Sequence, residues 1–288
     1  MKVLRTGAIL ILLSVLLVLA GGAIGGRGGM QIALLFAVVM NFASYFFSDK
    51  IALASSGAKP VTREELPRLY DVMERLAAKA NIPVPKLYVV PDMAPNAFAT
   101  GRNPNHASVA VTQGLLEIMN DDELEGVIAH ELSHVRNYDI LVSSVAATIA
   151  GAITYLASMG KWAMIFGGFG RDRDDDRGGG GISALLMIFL APFAALLLQL
   201  FLSRTREYAA DETGARMVGQ PYGLISALEK LGMYNRRIPT SAISPSISAL
   251  CIVKPMFGNG ALSSLFSTHP PLEGRIAVLK QMVNTPLR

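Results

Sequence analysis

The chain has very few cysteines and few charged residues. Cys251 is the single cysteine among 288 residues, so the chain forms no internal disulfide and cannot build a structural zinc site closed by several thiolates. Cys251 has no catalytic signature nearby, and no Ser/His/Asp or Cys/His arrangement suggests covalent catalysis. Only 17% of the residues are charged and 51% are hydrophobic. This balance is too apolar for an ordinary soluble domain and indicates a membrane protein.

The basic residues are spread along the chain. The formal net charge is +4 and the isoelectric point is about 9.2, which would suit a nucleic-acid partner if Lys and Arg formed a run or a recognition motif. Neither is present. Positive charge beside membrane segments explains the balance better, so we expect a lipid bilayer as a partner and no nucleic acid.

Two apolar segments near the N-terminus predict a transmembrane hairpin. Residues 7–26 and 31–48 are separated by a glycine-rich turn, and together they fill the predicted hairpin at 1–50. The first segment also fits a secretory signal peptide, because Lys2 and Arg5 precede it. The second apolar segment follows at once, which favours a membrane anchor.

A second pair of apolar segments predicts another hairpin at residues 140–202. Its helices are expected at 140–158 and 182–202, and the charged, glycine-rich residues 161–181 form the loop between them. The helix at 140–158 is rich in small residues, so it equally fits a buried helix of a soluble domain.

The distribution of Lys and Arg predicts the orientation in the membrane. The side that holds both termini carries more of these residues and is therefore taken as cytoplasmic. Residues 51–139 and 203–288 then lie in the cytosol as two parts of one domain. The predicted fold class is a mainly α integral membrane protein, with four transmembrane helices and a cytosolic α+β domain.

The most informative motif is His130-Glu131-Leu132-Ser133-His134. On a helix, residues i and i+4 share a face, so both imidazoles can reach one metal ion, and the adjacent carboxylate can hold an attacking water. Structural zinc sites are usually closed by four Cys or His ligands, and this chain has a single Cys. The motif therefore predicts a catalytic zinc site, with Glu131 as its base.

The sequence around this motif predicts helices and a small sheet. Asn120 and Glu123 form a capping box at the start of the motif helix, and Thr62 with Glu65 opens an amphipathic helix that runs to Lys79. Short strands are expected at 86–90, 97–99 and 108–112. The last two strands are placed to form a hairpin.

A catalytic zinc site needs a third protein ligand. Glu207 and Asp211 again lie at i and i+4 of one predicted helix face. Either carboxylate is a candidate, as is His269, and the carboxylate that does not bind the metal can fix a histidine. A solvated helix with local ion pairs is the competing interpretation.

The membrane topology agrees with a shared site. Two apolar segments separate His134 from Glu207, and an even number of crossings returns the chain to the same side. His134 precedes the membrane segment that starts at Ile140 by six residues, or about 9 Å of helix. The metal is therefore expected close to the bilayer surface. A re-entrant hairpin satisfies the same parity.

At these residues the chain resembles the HtpX-type membrane-bound zinc metalloproteases, the heat-shock proteases of bacterial membranes. The resemblance covers essentially the whole chain. It rests on four motifs: His130 to His134, Ser203-Arg-Thr-Arg-Glu-Tyr-Ala-Ala-Asp211, Pro95-Asn-Ala-Phe-Ala-Thr-Gly101 and Thr268-His-Pro-Pro-Leu-Glu-Gly-Arg275.

The resemblance implies a zincin-like (gluzincin) protease domain with one Zn²⁺ per chain. His130, His134 and Glu207 would bind the metal, Glu131 would be the general base and acid, and Asp211 would orient a liganding histidine. The edge strand that receives an extended substrate would consist of Asn96, Ala97, Phe98 and Ala99. His269 would face the active site and act in catalysis, with Arg275 a weaker candidate.

The resemblance also implies a function. The chain would be an endopeptidase that cleaves misfolded or damaged membrane proteins during stress, as a multi-pass protein of the bacterial inner membrane with its active site on the cytoplasmic side. Polypeptides, above all membrane proteins, are the expected substrates. Two alternatives remain at this point: a prenyl-protein (CaaX-type) peptidase, and a noncatalytic scaffold stabilised by zinc.

Overall fold

A computed structural model describes residues 2–149, 204–235, 237–244, 247–255 and 270–283. Its α-helices are α1 (Lys2–Ser55), α2 (Pro67–Ala80), α3 (Gln113–Ile118), α4 (Asp121–Arg136), α5 (Asp139–Ile149), α6 (Arg204–Val218), α7 (Tyr222–Asn235) and α8 (Leu272–Met282). Its strands are β1 (Lys59–Pro60), β2 (Lys86–Val90), β3 (Ala97–Gly101) and β4 (Ala107–Thr112). The predicted helix at 182–202, the loop at 161–181 and His269 lie outside the described residues, as do residues 150–158 of the predicted helix at 140–158.

Helix α1 consists of two segments that fold back on each other. The backbone leaves helical geometry at Gly25 and Gly26, and the φ of 57° at Gly26 lies in the left-handed region that glycine tolerates. Asn41 Nδ2 donates a hydrogen bond of 2.9 Å to Ser14 Oγ on the other segment. A Cβ at Gly29 would lie 2.1 Å from a carbonyl oxygen of the first segment, so this close approach requires glycine.

The second segment of α1 is a candidate membrane span. Within the described part of the chain, only Gly25–Ser55 is both long and apolar enough to cross a bilayer. Many of its large apolar side chains are exposed, among them Ile32, Leu35, Val38 and Phe42. Helix α5 is apolar, but its described length of about 16 Å is shorter than a hydrocarbon core. The described part of the chain is thus mainly helical with one candidate membrane helix, and the four predicted membrane helices are not confirmed.

The four strands form one mixed sheet in the order β1-β2-β4-β3. Strands β2 and β4 are parallel, and β4 pairs antiparallel with β3 over five residues, from Ala97 opposite Val111 to Gly101 opposite Ala107. The predicted hairpin is confirmed, and a 3₁₀ turn at Pro104–His106 closes it. Strand β3 therefore lies at the edge of the sheet.

Helix α2 begins later than the sequence predicts. The N–H of Thr62 donates to Glu65 Oε2 at 2.7 Å as expected, but the helix starts only at Pro67. The ring of proline favours the first helical turn and disfavours helical geometry at the preceding residue, Leu66, which lies at φ −135° and ψ 66°. The contact between Thr62 and Glu65 thus stabilises a turn before the helix.

Two hydrophobic clusters cover the two faces of the sheet. The larger one packs helices α2, α4, α6, α7 and α8 against one face, and so joins both predicted parts of the domain in a common core. The smaller one lies on the other face and contains the following buried residues: Ala52, Leu53, Val90, Phe98, Ala110, Ala147, Ile243, Ile247, Leu250 and Cys251. The end of α1 and helix α5 thus pack directly against the sheet.

Candidate active site

Helix α4 carries the motif through the centre of the domain. Asn120 and Glu123 form the predicted capping box, which stabilises the start of the helix. Glu123 also accepts hydrogen bonds from Lys230 Nζ at 2.7 Å and Ser226 Oγ at 2.6 Å, which attach α7 to the same turn. Because a Cβ at Gly214 would lie only 3.0 Å from the backbone nitrogen of His130, helix α6 can pack closely on the motif.

Three predicted side chains converge between α4 and α6. The Nε2 atoms of His130 and His134 lie 3.2 Å apart. Glu207 Oε2 lies 3.7 Å from His130 Nε2, and Glu207 Oε1 lies 3.6 Å from His134 Nε2. One ligand atom from each residue falls within 4.8 Å of the others, so this group can hold a metal ion. Two imidazoles and one carboxylate are a donor set that zinc takes at catalytic sites.

A carboxylate lies behind each histidine. Asp211 Oδ1 is 2.9 Å from His130 Nδ1, and Asp139 Oδ2 is 3.4 Å from His134 Nδ1. Such contacts fix the ring and leave the lone pair of Nε2 directed at the cluster. The position of Asp211 beside His130 thus agrees with the prediction that this carboxylate fixes a histidine. The sequence interpretation missed Asp139, whose only signal is an acidic residue at the start of an apolar helix.

Arg275 connects this cluster to the C-terminal part of the chain. Its guanidinium is fully buried and donates to Asp211 Oδ2 at 2.7 Å, to Asp211 Oδ1 at 2.6 Å and to the carbonyl of Ile252 at 2.7 Å. It also lies 3.5 Å from Glu207 Oε2. The sequence interpretation placed Arg275 low among the candidates, but the structure places it against the ligand group.

Glu131 differs from the other acidic groups of the site. Both of its carboxylate oxygens are buried and have no hydrogen-bond partner among the described residues. Burial is the main cause that raises the pKa of Glu131 to about 7, and the nearby charge of Glu207 adds to it. A buried carboxyl without a protein partner, with a pKa near neutrality, is suited to accept and return a proton.

A small cavity adjoins these groups. Glu131, His134 and Glu207 line one side, and Ala249 and Leu250 line another. Its volume of about 20 Å³ is enough for roughly one water molecule. The cavity therefore provides space for a water beside Glu131, but not for a peptide.

The predicted substrate strand lies beside this cavity. Ala99 on β3 is another of its lining residues, and Asn96, Ala97 and Phe98 are fully buried. The outer edge of β3 is partly covered, since the N–H of Ile252 donates to the carbonyl of Ala97 at 2.9 Å. The strand thus lies at the edge of the sheet, and another segment of the chain contacts its outer side.

Known proteins match the chain over most of its length. The family model described as peptidase family M48 matches residues 63–283. A protein named "Protease HtpX homolog" from Desulfatibacillum aliphaticivorans is 55% identical over 91% of this chain and 84% of its own length. A protein of the same name from Syntrophobacter fumaroxidans is 50% identical over 96% of this chain and 98% of its own length.

A solved structure is similar in fold. The crystal structure of S. mikatae Ste24p aligns with a TM-score of 0.51 at 20% identity, over 97% of this chain and 66% of that chain. The matches do not favour either alternative considered from the sequence, the prenyl-protein peptidase or the noncatalytic scaffold. With its family match and its close relatives, the chain belongs to peptidase family M48 and is a membrane-bound metalloprotease.

Proposed function

We propose that the chain is a zinc endopeptidase that hydrolyses peptide bonds of misfolded or damaged membrane proteins. Its relatives bear the name "Protease HtpX homolog", and the resemblance to this protease type underlies the proposed role in stress. The bacterial inner membrane is the proposed location, with the active site on the cytoplasmic side.

The observation that carries the proposal is the ligand group beside a buried, unpartnered carboxylate. His130, His134 and Glu207 are the proposed metal ligands, and Asp211 is proposed to orient His130. When bound, a divalent ion supplies Lewis-acid polarisation of the scissile carbonyl. Glu131 accepts a proton from the attacking water in the adjacent cavity and returns it to the leaving amine.

The proximity of the membrane supports membrane proteins as substrates. The apolar end of α1 packs on the sheet through Ala52 and Leu53, in the same cluster as Phe98 of the proposed substrate strand. The guanidinium of Arg102, directly after β3, lies 5.4 Å from the ring centre of Phe46 on α1. Extended segments that leave the bilayer are therefore within reach of β3, whose edge is proposed to bind them by strand addition.

Metal analysis combined with a proteolysis assay tests this proposal. Full-length protein in detergent should contain one zinc per chain and cleave unfolded casein and a destabilised membrane protein. The Glu131→Gln variant should retain the zinc and lose at least about a hundredfold in activity. Glu125→Gln, on the same helix, is the matched control and should cleave normally. Cleavage at the wild-type rate by Glu131→Gln would refute the assignment.

A further inference from the structure

Residues 247–253, named here the edge segment, lie along the outer edge of β3. The N–H of Ile252 donates to the carbonyl of Ala97 at 2.9 Å, and Cys251 forms an antiparallel bridge with Phe98. An extended peptide that adds to an exposed sheet edge uses backbone hydrogen bonds of the same kind. The edge segment thus makes, within the chain, the contact proposed for a substrate.

The edge segment also limits access to the ligand group. Its residues Ala249 and Leu250 line the cavity of about 20 Å³ that Glu131 and His134 line from another side. This volume holds about one water molecule. A polypeptide backbone cannot enter unless part of the cavity wall moves.

Among the described lining residues of the cavity, Ala249 and Leu250 of the edge segment are the ones outside the α-helices and the paired strands. Helices α4 and α6 carry the ligand group through the middle of the core, and β3 is paired with β4 over five residues. The edge segment has one short 3₁₀ turn, Ile247–Ala249, and a single isolated bridge to the sheet. Displacement of the edge segment therefore breaks less regular secondary structure than displacement of a helix or of β3 would.

From this arrangement we infer that the edge segment is an internal, autoinhibitory occupant of the substrate edge, and that a polypeptide substrate binds by displacing it from Ala97 and Phe98. This inference rests on the proposed function, because it concerns the same peptide-binding edge. It adds a closed state in which a water can reach Glu131 and a peptide cannot.

Polar contacts hold both flanks of the edge segment. On one side, the buried carboxylate oxygen Asp92 Oδ2 accepts hydrogen bonds from Thr240 Oγ1 at 2.6 Å and from the N–H groups of Ser241 and Ala242 at 3.1 and 3.0 Å. On the other side, Asn96 Nδ2 donates to the carbonyl of Val253 at 2.9 Å. A substitution that removes one of these contacts can weaken the closed state without changing the ligand group.

Arg275 connects the edge segment to the ligand group. The same guanidinium that donates to the carbonyl of Ile252 forms the ion pair with Asp211 behind His130. Displacement of the edge segment therefore breaks one hydrogen bond of Arg275 while its ion pair with Asp211 can persist. A peptide carbonyl on the same edge can accept the hydrogen bond that is released.

A reversible disulfide tests whether displacement is required. Residues 98 and 251 face each other as a pair without direct backbone hydrogen bonds, since the bond joins their neighbours 97 and 252. Such pairs have Cα atoms about 4.5 Å apart, which a disulfide can span. Phe98→Cys in the otherwise single-cysteine chain supplies the second thiol. Phe98→Ala removes the same ring without allowing a disulfide and is the matched control.

The expected result is an oxidant-dependent loss of proteolysis. Zinc-loaded Phe98→Cys in detergent should lose at least tenfold in casein cleavage after oxidation and recover it with reductant, whereas Phe98→Ala should not respond to oxidant. The inference is overturned if the two thiols fail to pair in folded protein, or if the disulfide-bonded form cleaves as fast as the reduced form. Wild-type cleavage is measured first. Its absence would mean that the proposed function itself fails, and the inference with it.

A second variant tests the same point without changing β3. Thr240→Val removes the hydroxyl that binds Asp92 and should accelerate both maleimide labelling of buried Cys251 and casein cleavage by about two- to tenfold, the equivalent of one net hydrogen bond. Thr62→Val, remote from the edge segment, should change neither rate. In Glu131→Gln, casein itself should accelerate labelling of Cys251. Faster labelling without faster cleavage in Thr240→Val would overturn the autoinhibitory role.

Discussion

Arg275 and Asp211 form a buried, two-point ion pair directly behind the ring of His130. The two hydrogen bonds measure 2.7 and 2.6 Å, and Asp211 Oδ1 lies 2.9 Å from His130 Nδ1. Burial would raise the pKa of Asp211, but the guanidinium outweighs it and keeps that pKa below its usual value. Asp211 therefore stays ionised and can hold His130 with Nε2 directed at the ligand group.

Replacement of Arg275 should weaken metal binding. Arg275→Lys keeps the charge but loses the planar fork that donates twice to Asp211. Changes to groups that orient a liganding histidine commonly cost 10- to 100-fold in metal affinity, and we expect a loss of about this size. Zinc affinity is measured by competition with a chelator. Lys280→Met, which alters an exposed ion pair on the same helix, is the control, and unchanged affinity in Arg275→Lys would contradict the positioning role.

The contact of Asp139 with His134 gives a parallel prediction. Burial lowers the pKa of His134, but Asp139 and Glu207 outweigh this and raise it above its ordinary value. Asp139→Asn should lower zinc affinity and casein cleavage by about 10- to 100-fold, because the uncharged amide holds the ring less strongly. The exposed Asp121→Asn variant on α4 should behave like wild type. Full affinity in Asp139→Asn would show that His134 is oriented without this carboxylate.

Features that depend on local sequence could be predicted. The capping box at Asn120 and the i, i+4 spacing of the histidines are properties of one helix, and the structure contains both. The helix spacing and the even number of apolar segments left Glu207, Asp211 and His269 as candidate third ligands, and the resemblance selected Glu207. Asp139 was missed and Arg275 was placed low, because their roles depend on contacts with α4 and α6 that no local pattern encodes.

The covering of β3 was also beyond the reach of the sequence. The Pro, Asn and Gly breaks around Phe98 indicate a short strand, and the resemblance placed this strand at the substrate edge. The partner of Phe98 is Cys251, far along the chain in a region of mixed Ser, Pro, Gly and apolar residues with no periodicity. A single bridge and one 3₁₀ turn leave too little regular structure for a pattern to predict.

Removal of the metal should lower the stability of the folded protein, and the size of this effect should depend on Glu207 as a ligand. An ion that binds only the folded state stabilises it by about 4 kcal/mol when its concentration is a thousand times the dissociation constant. Chelation should therefore lower the melting temperature of the wild type in detergent. Glu207→Gln should show a much smaller shift, whereas Glu212→Gln, exposed on the same helix, should match the wild type. An equal shift in Glu207→Gln would exclude this residue as a ligand.

The buried carboxylate of Glu123 predicts a pH-dependent part of the stability, remote from the ligand group. Burial would raise its pKa, but hydrogen bonds from Lys230, Ser226 and the N–H of Asn120 outweigh it, so the pKa lies below the ordinary value of 4.5. The unfolded chain then takes up this proton at a higher pH than the folded protein does. The stabilisation is therefore complete above pH 4.5 and is lost as the pH falls through the lower, folded-state pKa.

The Lys230→Met variant tests the predicted direction of this pH dependence. A hydrogen bond to a charged, buried group contributes about 1.5–3 kcal/mol, so the variant should lose roughly this much in free energy of unfolding at pH 7. The loss should shrink below pH 4.5, because protonated Glu123 no longer attracts Lys230. Denaturant unfolding at several pH values measures both quantities. Lys280→Met removes only an exposed pair and should cost less than about 1 kcal/mol at any pH; a constant loss in Lys230→Met would disprove the linkage to Glu123.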